Sequence, residues 1–172
     1  MNDQKFCMLC GAPLHEVTIE NRIRQACTVC DWVYYPQLKV SAGTLVEESG
    51  NILLVQRSID PWKGFWYLPA GYLEDDEDPI LGAERETCEE TGLVVGVTGL
   101  REVSMYEDDP RGNGILILYN ASRRSGQLKN GNESLRVGFF SPEQVEDMPL
   151  AGSSHTHAIM NWVEEKKRKG SY

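Results

Sequence analysis

The chain has 172 residues, of which 41% are hydrophobic, and a formal net charge of −9. This length allows one hydrophobic core and a small appended module, but not two full domains. The acidic balance argues against a nucleic-acid partner, because sequence-independent binding depends on many Lys and Arg residues. No leader-like apolar segment opens the chain, and no apolar stretch approaches the roughly 20 residues that span a bilayer. We therefore expect a cytoplasmic protein without a membrane partner.

Residues 7–36 hold four of the five cysteines and few aliphatic runs. The cysteines form two pairs 16 residues apart, Cys7-x2-Cys10 and Cys27-x2-Cys30. At this spacing two hairpin tips can hold one tetrahedral Zn²⁺, and four thiolates leave no open position for catalysis. Disulfide bonds are the alternative, which a reducing compartment disfavours. The pattern predicts a structural zinc ribbon over residues 1–36, used as a scaffold or as a homodimer surface.

The remaining residues, 37–172, are expected to form one domain of strands and helices. Runs rich in Val, Leu and Ile predict strands over residues 38–46, 52–57, 93–106, 115–123 and 136–140. An aromatic-rich loop is expected over residues 61–71. Start and stop residues predict helices over residues 79–91 and 155–167, and a short helix that opens at residues 141–143. This order predicts an α+β fold with helices packed on a mixed sheet, equivalent to an α/β/α sandwich.

Three glutamates share one face of the first predicted helix, because Glu86, Glu89 and Glu90 stand at positions i, i+3 and i+4. Like charges at this spacing repel one another, and hard divalent cations such as Mg²⁺ or Mn²⁺ would offset the repulsion. A solvated acidic face is the alternative, since charge runs are common on helices. Cys88 lies about 200° around the helix from Glu86 and is expected to face the core.

The residues that flank these glutamates carry a longer motif. From Gly71 to Leu93 the chain reads GYLEDDEDPILGAERETCEETGL, which resembles the Nudix box at every charged and glycine position. Thr87 stands where the family usually has an aliphatic residue, but its methyl group can still touch the core. The resemblance implies a Nudix fold from about residue 37 to 168 and a metal-dependent hydrolase of nucleoside diphosphate derivatives.

The resemblance also implies roles for individual residues. The implied magnesium ligands are three carboxylates and a backbone carbonyl, from Glu86, Glu89, Glu90 and Gly71. Arg85 would orient the carboxylates, and Glu77 would support the loop before the helix. Glu133 matches the position of a last acidic ligand in similar enzymes, although an ordinary loop acid is the alternative. Two ions at such a site can activate water and stabilise the leaving oxygen of a diphosphate.

The cysteine quartet and the box occur together in the zinc-ribbon branch of this family. The run 34–37, YYPQ, resembles bacterial NADH pyrophosphatases, but their SQPWPFPxS stretch is replaced by REVSMYEDDP at residues 101–110. The run from Arg57 to Glu74 is more similar to plant zinc-ribbon enzymes that hydrolyse FAD and ADP-ribose. This likeness implies that Arg57, Tyr72 and Glu74 bind substrate, with Tyr72 stacking on a base.

ADP-ribose or FAD is therefore the expected small-molecule substrate, and AMP is one expected product. Few cations flank the box beyond Arg57, Lys63 and Arg85, which disfavours a nucleoside triphosphate. Hydrolysis of NAD(H), a catalytically inactive ligand sensor and a zinc-ribbon nucleic-acid adaptor are the alternatives. Among the remaining candidates, His155 and His157 are expected at surface or cap positions, and the aromatic residues of the loop are expected in the core.

Overall fold

The computed structural model describes residues 4–169, which divide into two compact units. The first unit ends at Leu38 and the second begins at Lys39. None of the helices in residues 4–169 combines the length and the apolar character that a membrane crossing requires.

The first unit is an antiparallel sheet of three strands in the order β1-β2-β3: β1 (Leu14–Ile19), β2 (Arg22–Cys27) and β3 (Val33–Tyr34). Glu20 and Asn21 turn the chain between the first two strands with φ angles of 49° and 60°. Within residues 4–38, Cys7 and Cys27 are the buried apolar side chains. The sheet therefore has almost no hydrophobic core of its own and needs another source of stability.

The second unit contains seven strands and three helices. In chain order they are β4 (Lys39–Glu48), β5 (Asn51–Arg57), β6 (Trp66–Tyr67), β7 (Ala70–Tyr72), α1 (Pro79–Thr91), β8 (Leu93–Tyr106), β9 (Gly114–Gly126), β10 (Ser134–Phe140), α2 (Pro142–Glu146) and α3 (Ser153–Lys169). The main sheet has the order β10-β5-β4-β9-β8, with β6 paired to β5 and β7 paired to β4. The pair β4 and β9 is parallel and the others are antiparallel, so the predicted mixed sheet is confirmed.

Helix α3 covers one face of this sheet. Leu116 and Leu118 of β9 belong to the same buried cluster as Ile159 and Trp162 of the helix. The indole Nε1–H of Trp162 also donates a hydrogen bond of 3.0 Å to the carboxylate of Glu47. Burial of these large side chains supplies much of the free energy that attaches the helix to the sheet.

Helix α1 lies on the opposite face. Successive residues of a strand point to opposite sides, so Thr44 points away from the cluster that contains Leu45. The Thr44 hydroxyl lies 2.6 Å from the Thr87 hydroxyl of α1, and Thr87 donates a hydrogen bond of 2.7 Å to the carbonyl of Ala83. With α1 on one face and α3 on the other, the predicted α/β/α sandwich is confirmed.

Helix α1 begins and ends where the sequence predicts. Asp78 accepts a hydrogen bond from the Ile80 N–H, Pro79 occupies the first turn, and Gly92 adopts a left-handed φ of 73° beyond the last turn. The predicted aromatic loop is only partly a loop, because residues 66–67 and 70–72 pair with β5 and β4 as short strands. Strands of two or three residues are too short to show the alternation of apolar and polar residues that predicts a strand, and they form only by pairing with other parts of the chain.

The Thr44–Thr87 contact leads to a stability prediction. Thr87→Val should destabilise the protein by about 1–2 kcal/mol, because it leaves the buried Thr44 hydroxyl without this partner. Thr44→Val should be less damaging, since Thr87 still donates to Ala83. The double variant should be more stable than Thr87→Val alone. Urea unfolding of the four proteins measures the coupling, and strictly additive losses would contradict it.

Candidate active site

A cavity of about 840 Å³ lies in the second unit, beside helix α1. It gathers most of the site residues that the sequence analysis proposed: Arg57, Gly71, Tyr72, Glu86, Glu89, Glu90 and Glu133. These residues come from strands, a helix and a loop that are far apart in the chain. Arg85 and Glu74 are not part of the cavity lining.

Glu90 is held in the cavity by hydrogen bonds to both of its carboxylate oxygens. Its Oε1 accepts a hydrogen bond from the Tyr67 hydroxyl, and its Oε2 accepts one of 3.1 Å from the Ala70 N–H. Burial raises the pKa of Glu90 to about 8, although both hydrogen bonds oppose the shift. A charged Glu90 therefore needs an additional positive partner.

Glu86 lies one turn earlier on the helix, against the backbone of Gly71. A Cβ atom at Gly71 would lie 2.2 Å from the Glu86 carboxyl carbon, so a side chain at residue 71 would displace the carboxylate. Burial raises the pKa of Glu86, and the repulsion of Glu89 adds to this effect, despite a hydrogen bond of 2.7 Å from Arg85. Two acids with raised pKa values thus face the same cavity.

Arg85 holds Glu86 and Glu89 from outside the cavity. Its guanidinium makes two hydrogen bonds of 2.7 Å to Glu77, a third of 2.7 Å to Glu86 and a longer one of 3.4 Å to Glu89. A further N–H donates to the carbonyl of Tyr72 at 3.3 Å. The pair with Arg85 lowers the pKa of Glu77. One guanidinium therefore ties the loop before α1 to the carboxylates on the helix.

Glu89 and Glu133 complete the acidic wall. The Glu89 side chain is 61% exposed. Glu133 is brought to the cavity by a loop that packs on the end of α1. There the Gly131 N–H donates a hydrogen bond of 3.0 Å to the carbonyl of Glu90. A Cβ atom at Gly131 would lie 2.4 Å from the Glu89 carbonyl oxygen, so this close approach requires glycine.

The substrate-binding candidates differ in their positions. Arg57 lies over the Tyr67 ring, with its guanidinium carbon 5.3 Å from the ring centroid. The Tyr72 ring lies near two cations, Lys39 at 5.2 Å and Arg111 at 5.6 Å. Glu74 is exposed on the loop after β7 and is not brought to the cavity.

Cys88 is exposed at the cavity, so its expected core position is wrong. The sequence argument took the glutamate face of α1 to be the solvent side and put Cys88 opposite it. In the structure, the buried side of the helix carries Ala83 and Thr87, and Glu86 and Glu90 lie close to that side. The face opposite the glutamates is therefore not the core.

Several cavity residues were missed. Tyr67 and His155 meet edge to face, with ring centroids 5.6 Å apart, so the expected surface or cap position of His155 is wrong. Arg111 and Lys129 also line the cavity, and the predicted shortage of positive charge is wrong as well. Arg111 forms a bidentate ion pair with buried Asp109. His155, Arg111 and Lys129 belong to no local motif, and the sequence offered no signal for them.

The four cysteines form a separate cluster in the first unit. Their sulfur atoms all lie within 4.8 Å of one another, with 3.7 Å from Cys7 to Cys30 and 3.5 Å from Cys10 to Cys27. Tetrahedral zinc with Zn–S bonds of about 2.3 Å requires sulfur atoms about 3.8 Å apart, so the cluster fits zinc. N–H groups of Cys30 and Val29 lower the pKa of the Cys27 thiol to about 6, which favours the thiolate form.

Comparison with known proteins agrees with this geometry. The family model of the NUDIX domain matches residues 37–163. The chain is 32% identical over 128 residues to the ADP-ribose pyrophosphatase of Methanocaldococcus jannaschii, covering 74% of each protein. It is 26% identical over 150 residues to the NAD-capped RNA hydrolase of Chromobacterium violaceum, covering 87% of this chain and 54% of that protein.

A solved structure extends the likeness to the fold of nearly the whole chain. The crystal structure of a Nudix hydrolase from Nitrosomonas europaea matches with a TM-score of 0.81 and 30% identity, over 95% of this chain and 93% of that one. The match of the family model and the glutamate-lined cavity lead to the same conclusion. The chain belongs to the Nudix family and is a hydrolase of the pyrophosphatase type.

Proposed function

We propose that the enzyme hydrolyses the diphosphate linkage of ADP-ribose or a related adenine dinucleotide such as FAD, with divalent cations held by the acidic wall of the cavity. The observation that carries this proposal is the partial burial of Glu86 and Glu90, which lie one turn apart on α1 and both line the cavity. Both carboxylates have raised pKa values because burial removes them from water. Mg²⁺ or Mn²⁺ among the acids would supply the missing positive charge through the oxygen ligands that such ions prefer.

The proposed ligands are the carboxylates of Glu86, Glu89 and Glu90, with the backbone carbonyl of Gly71. When bound, the cations supply charge neutralisation of the diphosphate and a more acidic water. Arg85 holds Glu86 and Glu89 in place through its hydrogen bonds. The Tyr67 hydroxyl and the Ala70 N–H do the same for Glu90.

Glu133 is the proposed general base. It lines the cavity from the loop after β9 and forms no ion pair among residues 4–169. It would accept the proton of the water that attacks phosphorus. Arg57 would bind a phosphate oxygen, since its guanidinium lies at the cavity beside Tyr67. Tyr72 is proposed to contact the base or ribose of the substrate.

Two observations support an adenine dinucleotide. The relative from Methanocaldococcus jannaschii, which is named an ADP-ribose pyrophosphatase, matches over 74% of its length. The cavity of about 840 Å³ also falls within the roughly 300–1,000 Å³ that is usual for small-molecule sites. The relative from Chromobacterium violaceum acts on NAD-capped RNA, which keeps NAD(H) as a second candidate. A sensor without activity is disfavoured, because all the proposed acidic ligands are present.

A substrate panel tests the proposed activity. With Mg²⁺, the purified protein should release AMP from ADP-ribose or FAD with a higher kcat/KM than it shows for NADH or for any common nucleoside triphosphate. This expectation follows from the relative that is named an ADP-ribose pyrophosphatase. A triphosphate that leads the panel by about tenfold would overturn the assignment of substrate class.

Variants measured in the same assay distinguish loss of the metal site from loss of the fold. Glu89→Gln and Glu90→Gln should each lose most of the activity, on the order of 100-fold or more, because each removes a charge from the proposed metal site. Asp75→Asn is the matched control, since Asp75 is exposed and does not line the cavity. Near-normal turnover in both glutamine variants would refute the mechanism.

The cysteine cluster is proposed to hold one structural Zn²⁺, and its removal should have a different effect from the omission of magnesium. Zinc removal should unfold residues 7–36, because the described part of this unit buries almost no apolar side chains. Omission of Mg²⁺ should stop turnover without loss of structure. Elemental analysis and hydrogen exchange measure both effects.

Cysteine variants provide the control for the zinc site. Cys30→Ser should lose zinc, whereas Cys88→Ser should keep it, since Cys88 lies in the second unit. Protein that contains no zinc, with the four cysteines joined as disulfides, would contradict the assignment.

A further inference from the structure

One end of the cavity, next to Glu90, carries a histidine to which the proposed mechanism gives no role. His155 lies in the first turn of α3 and lines the cavity. Its ring meets the Tyr67 ring edge to face at 5.6 Å, with an interplanar angle of 85°. Tyr67 in turn donates its hydroxyl hydrogen to Glu90. His155 is therefore one side chain away from the proposed metal site.

The two ring nitrogens of His155 are in different environments. Nδ1 is buried and finds no hydrogen-bond partner among residues 4–169. An unpaired N–H in a buried position is less tolerable than an unpaired lone pair, so the proton belongs on Nε2. Since the ring lines the cavity and Nδ1 is enclosed by protein, Nε2–H is the group that faces the cavity.

The surroundings keep this imidazole uncharged. Burial lowers the pKa of His155 to about 4, and the nearby Arg57 adds to this effect, while Asp108 opposes it. At neutral pH the side chain is thus a neutral donor. A neutral donor suits a site beside Arg57 and the proposed cations, because an imidazolium would repel them.

Arg57 provides the second donor at this end of the cavity. Its Nε–H is held by the Pro61 carbonyl at 3.0 Å, which fixes the orientation of the guanidinium. The terminal N–H groups are then left to face the cavity, above the Tyr67 ring. A cationic donor and a neutral donor that contact the same tyrosine ring complement an anionic oxygen better than a neutral base edge.

We propose that His155 is a substrate-binding residue: its Nε2–H donates, together with Arg57, to a non-bridging oxygen of the diphosphate. This inference rests on the proposed pyrophosphatase function. It assigns the Glu90 end of the cavity to a phosphate group and leaves the Tyr72 end for the base or sugar.

The test replaces the donor while keeping the fold. The amide of His155→Gln ends near the position of Nε2 and should keep kcat/KM for ADP-ribose within about threefold. His155→Asn, whose amide ends near Nδ1, and His155→Phe should each lose about 10- to 100-fold, as expected for one hydrogen bond to a charged group. His157→Phe is the matched control, because His157 is 66% exposed on the same helix and does not line the cavity.

Two comparisons separate a phosphate contact from other roles. The loss should be equal for ADP-ribose and GDP-ribose, since both carry the same diphosphate; a loss that depends on the base would overturn the phosphate assignment. Asn and Gln variants that are equally impaired, or a Phe variant that is fully active, would also overturn it. Thermal unfolding of each variant identifies any that do not fold, and the remaining variants decide the outcome.

A binding measurement keeps the two proposals distinguishable. With Mg²⁺, calorimetric titration of α,β-methylene-ADP should give a Kd about tenfold or more higher for His155→Asn than for the unmodified protein. If the unmodified protein cleaves no diphosphate in the substrate panel, the proposed function fails. If it cleaves one and His155→Asn cleaves and binds as well as it does, the inference about His155 alone fails.

Discussion

The partial burial of two carboxylates on one helix is the constraint on which the rest of the site depends. Glu86 and Glu90 stand one turn apart and face a cavity in which burial raises the pKa of both. The neighbouring backbone accommodates both carboxylates. Gly71 leaves room for the Glu86 carboxylate, and the Ala70 N–H donates to Glu90. The same groups that stabilise these acids also hold them in a fixed geometry, which a metal-dependent hydrolase requires.

Contacts between helix α1 and the rest of the fold hold these acids in position. Arg85 ties the helix to the preceding loop through Glu77, and the Thr44–Thr87 pair ties it to the central strand β4. The loop after β9 closes on the C-terminal end of the helix through Gly131. Three independent contacts therefore fix the helix, and the acids project from a rigid element instead of a loop.

Local signals in the sequence predicted the features that depend on local chemistry. Pro79 and Gly92 gave the ends of α1, and the cysteine spacing predicted the sulfur cluster that the structure brings together. The burial of α1 was harder to predict, because a helical wheel gives angles between residues but not the direction of the core. For that reason Cys88 was assigned to the wrong side.

Contacts between residues that are far apart in the chain could not be predicted from a single sequence. His155 and Tyr67 meet at the cavity although their positions in the chain are 88 apart. Arg111 reaches the Tyr72 ring in the same way, and neither Arg111 nor His155 belongs to a motif. Glu74, in contrast, lies within a family-like run yet is exposed outside the cavity. Proximity in sequence to a motif did not ensure proximity to the site.

The central claim is that the buried carboxylates are stabilised by divalent cations. The most direct test is the unfolding temperature of the unmodified protein and Glu90→Gln at pH 8, with and without Mn²⁺, in buffers free of chelators so that zinc is retained. The pKa of Glu90 is raised to about 8 in the folded protein. The loss of stability caused by ionising Glu90 therefore begins as the pH rises above the ordinary pKa of a glutamate, and it approaches its full size near pH 8. Without Mn²⁺ the glutamine variant should therefore be the more stable protein. Mn²⁺ should stabilise the unmodified protein and leave the variant nearly unchanged. A variant that is less stable without Mn²⁺, or one that gains as much from Mn²⁺ as the unmodified protein does, would contradict the account.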